Sequence, residues 1–121
     1  MQAIMQSHDS KIVLSTPNHF YIIEVDDIVF CQQTNAKTTV SLQSGEQLSI
    51  DFPIEGIRKK INRADFFQPQ DNCLVNGQYV SKLQRIEGPE ILLDNGRVFS
   101  ISPERKQEIK HFLEKITRIQ I

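Results

Sequence analysis

The apolar residues of this chain come in runs too short for helices, and each run is closed by turn-forming residues. Ile12-Val13-Leu14 stops at Ser15-Thr16-Pro17-Asn18, and Phe20 to Val25, rich in aromatic and β-branched types, stops at Asp26-Asp27. Ile28-Val29-Phe30-Cys31 is apolar without a break, which predicts a strand covered on both faces. Thr38, Val40 and Leu42 alternate with Thr39 and Ser41; Leu48 and Ile50 alternate with Gln47 and Ser49. With Ser44-Gly45 between them they predict a hairpin. A second hairpin is predicted where Glu90–Leu93 and Arg97–Ile101 flank Asp94-Asn95-Gly96, because Asn-Gly accepts the positive φ angles of a type I′ turn. Cys73-Leu74-Val75 and Tyr79-Val80 are further strand patterns, continuing weakly through Leu83 and Ile86. Connections this short exclude parallel crossovers, except around the first helix, so the fold is expected to be mainly β and antiparallel.

Only two segments keep a helical period. Pro53 suits a first helical position, and Ile54, Ile57 and Ile61 form one apolar stripe. Arg58, Lys59, Lys60 and Arg63 lie off that stripe and read as a solvated face. Near the end, Ser102 suits an N-cap with Pro103 behind it, and Ile109, Phe112, Leu113 and Ile116 follow helical spacing to about Arg118. With 121 residues there is room for one domain, expected over residues 11–121 behind a tail at 1–10.

The net charge is −1, which speaks against a strongly basic nucleic-acid binder. The balance hides a split: residues 1–51 carry a net −4 and residues 52–121 a net +3. A local positive surface is therefore compatible with the near-neutral total. No run approaches the ~20 apolar residues of a membrane span. Met1 to Ser10 lack the basic and apolar regions of a signal peptide, so a cytoplasmic protein is expected. The two cysteines, Cys31 and Cys73, are read as partly buried, reduced thiols, since two so far apart make neither a disulfide framework nor a zinc cluster. His8, His19 and His111 show no ligand spacing, and neither metal nor cofactor is expected. Asp26-Asp27 point to opposite faces of a strand and make no acid/base pair. No phosphate loop or nucleophile elbow is present, so an enzyme is not expected.

Three segments in order carry a resemblance. The first is Asp27 to Cys31, a polar loop, then Thr39 to Gly45; the second is Phe66-Phe67-Gln68-Pro69-Gln70-Asp71-Asn72-Cys73-Leu74-Val75-Asn76; the third is Leu93 to Ser102. Together they resemble the LytTR family of DNA-binding domains, output domains of a class of bacterial response regulators, over about residues 11 to 117. The resemblance implies an elongated stack of about ten short antiparallel strands with a short mid-chain helix and a C-terminal one. It also implies loops that enter successive major grooves, often on two direct-repeat sites. The family's central motif is Phe-x-Arg-x-His-x-Ser-x-x-Val-Asn. Phe66 or Phe67, Val75 and Asn76 keep it, whereas Gln68, Gln70 and Asn72 stand at the Arg, His and Ser positions.

Amide side chains still read adenine edges but neutralise no phosphate. The expected DNA contacts are Thr34, Asn35 and Lys37 in one loop, Gln68, Gln70 and Asn72 in a second, and Arg105 and Lys106 at the start of the last helix. The competing expectation is a LytTR-like scaffold that has lost DNA reading and binds a protein, a signalling partner or a second copy of itself. Its motives are the net charge of −1 and the emptied motif, with Asp71 repelled by nearby phosphates; the apolar face of the last helix would then serve as a dimer seam.

Overall fold

The computed structural model describes residues 10–120. The tail expected over residues 1–10 lies outside the described residues except for Ser10, whose carbonyl accepts the Val25 N–H at 2.7 Å. Among the described residues, ten strands form three antiparallel sheets. β1 (Lys11–Ser15) and β2 (Phe20–Glu24) make an isolated hairpin. The central sheet has the order β5-β4-β3-β7-β6, built from β3 (Ile28–Thr34), β4 (Lys37–Leu42), β5 (Gln47–Ile50), β6 (Phe66–Gln70) and β7 (Cys73–Asn76). The third sheet is β10-β9-β8, from β8 (Val80–Gln84), β9 (Glu90–Leu93) and β10 (Val98–Ser100). α1 (Ile54–Ile61) sits between β5 and β6, and α2 (Lys106–Glu114) follows β10.

The unbroken apolar run at Ile28–Cys31 is explained by two cores, one on each face of the central sheet. Ile28 and Cys31 join Val40, Leu74, Phe66 and the α1 stripe of Ile54, Ile57 and Ile61, with the β1–β2 hairpin completing the cover. Val29 and Phe30 join Phe67, Val75, Ile91, Phe99, Ile109 and Phe112 on the other face. Two consecutive residues share a face because the β3–β4 register shifts between Ile28 and Phe30. Asn76 closes the β3–β7 junction: its buried amide donates to the Ile28 carbonyl at 2.9 Å, and its Oδ1 accepts the Gln78 N–H at 3.0 Å. This retained motif residue is therefore a structural one.

Several local expectations change. Both glycine hairpins exist, but the turn at Asp94-Asn95-Gly96 is not type I′. Only Gly96 has positive φ (90°), and Leu93 closes a three-residue loop by bonding to Gly96 and Arg97, with Leu42 and Gly45 doing the same at the other hairpin. β6 escapes a period-2 reading because it carries Pro69 and a bulge; it is an edge strand, where proline is tolerated. α2 begins at Lys106 after a 3₁₀ turn at Pro103–Arg105 and ends at Glu114, so Ile116 leaves the stripe and is 53% exposed. Ser102 takes the N-cap position of that 3₁₀ turn with Pro103 next, but its hydroxyl makes no capping bond and instead donates to the Pro69 carbonyl at 3.3 Å. Ile109 and Phe112 cover the core and are not free to form a dimer seam. Arg58 and Arg63 do not belong to a solvated face: both are engaged by carboxylates.

Gly77 is required by space. A Cβ there would collide with the Phe112 ring and lie 2.8 Å from the Asp65 carbonyl oxygen, itself the acceptor of the Gly77 N–H. Gly77→Ala is expected to cost about 2 kcal/mol through overpacking, read as a lower urea midpoint at unchanged slope. An unaltered midpoint would show that Phe112 moves aside freely.

Candidate nucleic-acid interface

The three expected contact segments meet at one end of the central sheet, tied by hydrogen bonds across long sequence distances. β3 ends in a two-residue turn whose Asn35 sits in the left-handed region at φ 58°, leaving Thr34, Asn35 and Lys37 exposed. Just before it, the Gln33 N–H donates to the Asn72 carbonyl at 2.8 Å, fixing the β6–β7 turn alongside. The Gln33 side chain does a second job: its Oε1 accepts the Ile54 N–H at 2.9 Å and so caps α1, which has no local capping side chain. Gln70 donates to the Ser100 carbonyl (2.9 Å) and hydroxyl (2.6 Å), bringing the β10 end to the same turn. Asp71 then accepts from Arg105 Nε at 3.0 Å and Nη2 at 2.9 Å.

The expected residues are not equally available. Lys37 is exposed but paired with Asp51 at 3.0 Å. Asn72 is exposed, with Oδ1 near the Cys73 thiol at 3.4 Å. Lys106 is exposed and forms no ion pair among the described residues. Gln68 lies fully buried beneath the second loop and presents no surface to a partner.

Gln68 is instead the centre of a polar network. Its Oε1 accepts from Arg58 at 2.7 Å, and its Nε2 donates to Glu55 and to the Asp71 carbonyl, each at 3.1 Å. The β6 bulge, two residues opposing one between Phe67 and Gln70, takes the Gln68 N–H out of the ladder, and Glu108 accepts it at 2.9 Å. Glu108 also pairs with Arg58 and, at 3.0 Å, with Arg105. Neither Arg58 nor Glu108 stands out in the sequence as a partner of Gln68, because the residues lie on different elements 10 and 40 positions away. The consequence is electrostatic: Arg105, with its side chain 22% exposed, is neutralised by Asp71 and Glu108.

Burial pushes the Glu108 carboxyl up, but the bonds from Arg58 and the Gln68 N–H outweigh it and hold the group below its ordinary value of 4.5. Asp65, at the opposite end, behaves alike: burial raises it, and bonds from Arg63 and Gln78 bring it down further. Depressed carboxyls stabilise the fold fully above their unfolded values and lose that contribution as pH falls through the folded ones. Urea midpoints should therefore stay level near pH 7 and drop below about pH 4.5, with Glu108→Gln showing a shallower acid limb. Equal acid limbs in both proteins would remove Glu108 from that account. Burial also raises the Cys31 thiol to about 12 and the Cys73 thiol to about 11, which suits unreactive core cysteines.

Among the described residues no cluster of His, Cys, Asp or Glu could hold a metal ion, and no helix is long and apolar enough to cross a membrane. Comparison with curated proteins gives no match. A search of solved structures finds the LytTr DNA-binding domain of a response regulator from Bacillus cereus, with TM-score 0.73 and 13% identity, covering 86% of this chain and 96% of that one. At that identity the likeness establishes the mostly β fold of three sheets and two helices. The LytTr DNA-binding domain family itself matches over residues 18–114, most of the described structure. On that match the chain belongs to the LytTR family of DNA-binding domains.

Proposed function

We propose that this chain is the sequence-specific DNA-reading module of a bacterial transcriptional regulator, working in the cytoplasm on direct-repeat sites. The observation that carries the proposal is the convergence of three sequence-distant segments at one end of the central sheet, held by the Gln33–Asn72, Gln70–Ser100 and Asp71–Arg105 bonds. Thr34, Asn35 and Lys37 enter one groove, and Gln70 and Asn72 the next. Lys106 meets phosphate at the start of α2. Amides at the second loop suit adenine edges. Gln68 and Arg105 act as positioning residues that hold the loop and the helix start. The scaffold without DNA reading finds no support in the family match.

The test is a titration of labelled random and genomic duplexes at several salt concentrations. Affinity should fall with salt at a log–log slope of about −3, reflecting few neutralised phosphates. No binding on either duplex at low salt would overturn the proposal. Asp71→Asn removes an anion from the loop and leaves Arg105 held by Glu108 alone at close range. It is expected to raise affinity about 3- to 10-fold and steepen the slope by about 0.9. An unchanged isotherm would place Asp71 and Arg105 away from the duplex.

A further inference from the structure

Arg97 is the cation at this end that the expected contact set leaves out. It follows the Asn95-Gly96 turn, is exposed, and forms no ion pair among the described residues. Its guanidinium is nevertheless held in place: the carbon lies 4.7 Å from the Phe30 ring centroid and 5.2 Å from that of Phe99. Those two rings meet edge-on at 5.2 Å, so the platform under the guanidinium is itself rigid. Nη2 also donates to Gln32 Oε1 at 3.4 Å. Gln32 pairs with Cys73 across β3 and β7, one residue from Asn72 in the second contact loop. Ser100, three residues beyond Arg97, receives the Gln70 amide.

We propose that Arg97 is a phosphate-binding residue of the DNA interface, adding a charged contact beside a central motif that has no cation of its own. This rests on the DNA-reading proposal above. The Arg97 guanidinium carries only N–H donors, which matches an acceptor-only partner such as a phosphate oxygen. Stacking fixes the plane of the fork before binding, so less side-chain freedom is lost on contact. Finally, Arg105 is tied to Asp71 and Glu108, whereas Arg97 forms no ion pair among the described residues and keeps its full charge for a partner.

The experiment measures binding of the full chain to a labelled random-sequence duplex over a salt series, for the native protein, Arg97→Met and Arg97→Lys. Methionine keeps an apolar stem over Phe30 and Phe99 and removes only the charge and the donors. Arg97→Met is expected to bind about 5- to 10-fold more weakly at low salt, with the slope shallower by about 0.9. Arg97→Lys should keep the native slope and lose only part of the affinity, since it retains charge without the planar fork. Thermal melting of each variant separates packing from binding. A Met variant that melts earlier yet binds with native affinity and slope would assign Arg97 to packing alone and overturn the proposal. A Lys variant with the slope of the Met variant would overturn it as well. If the native chain binds no duplex, this proposal and the DNA-reading proposal fall together; native binding with an unaffected Met variant removes this one only.

Discussion

Glu108→Ala is expected to destabilise the domain by about 2–3 kcal/mol, several times what an exposed ion pair contributes. The carboxylate serves three donors at once: the Gln68 N–H freed by the β6 bulge, Arg58, and Arg105. Removing it leaves an unpaired N–H under the second loop and two guanidiniums short of a partner, 32% and 22% exposed. Arg58 keeps Gln68 Oε1 and Arg105 keeps Asp71, which holds the loss below that of a fully stranded charge. For a chain of this size the melting temperature should fall by about 10 °C. Glu108→Gln retains an oxygen for the Gln68 N–H and should cost about half as much. If the alanine variant melts within a degree or two of the native chain, the network is solvated and α2 is held by Ile109 and Phe112 alone.

What the sequence makes legible, and what it hides, follows from how far each signal reaches. Period-2 alternation and turn residues are local, so β3, β4, β5, β9 and β10 are visible, and Ile28–Cys31 correctly implies cover on both faces. Features created by long-range partners are not. The α1 cap comes from Gln33, 21 residues away, and the bulge that admits Pro69 in β6 matters through Glu108 on the last helix. The Arg58 case is sharpest: by helical position it belongs on a solvated face, and it is turned inward by a glutamine and a glutamate on other elements. At the candidate interface the same limit applies. Motif position alone puts Gln68 among the expected DNA contacts, yet it is fully buried, while Arg97, outside the motif, is exposed on two aromatic rings.

Reversing both exposed lysines of the interface, Lys37→Glu with Lys106→Glu, should weaken duplex binding about 100-fold at low salt. The physical reason is the smallness of the available charge. Arg58 and Arg105 are balanced inside the fold by Glu55, Asp71 and Glu108, so the positive potential at this end rests on few side chains. Each phosphate contact contributes about 0.9 to the salt slope, so losing two should flatten a slope of about −3 to about −1. Both lysines are exposed, and Lys37 pairs with exposed Asp51, so urea midpoints should move by less than about 0.5 kcal/mol. Stability and binding are thereby separated in one variant, the reverse of Glu108→Ala. A double variant with native affinity and native slope would place the duplex elsewhere on the molecule, because no other lysine lies on the converging segments. A variant with lower affinity but the native slope would mean that the lysines act through loop conformation instead of phosphate neutralisation.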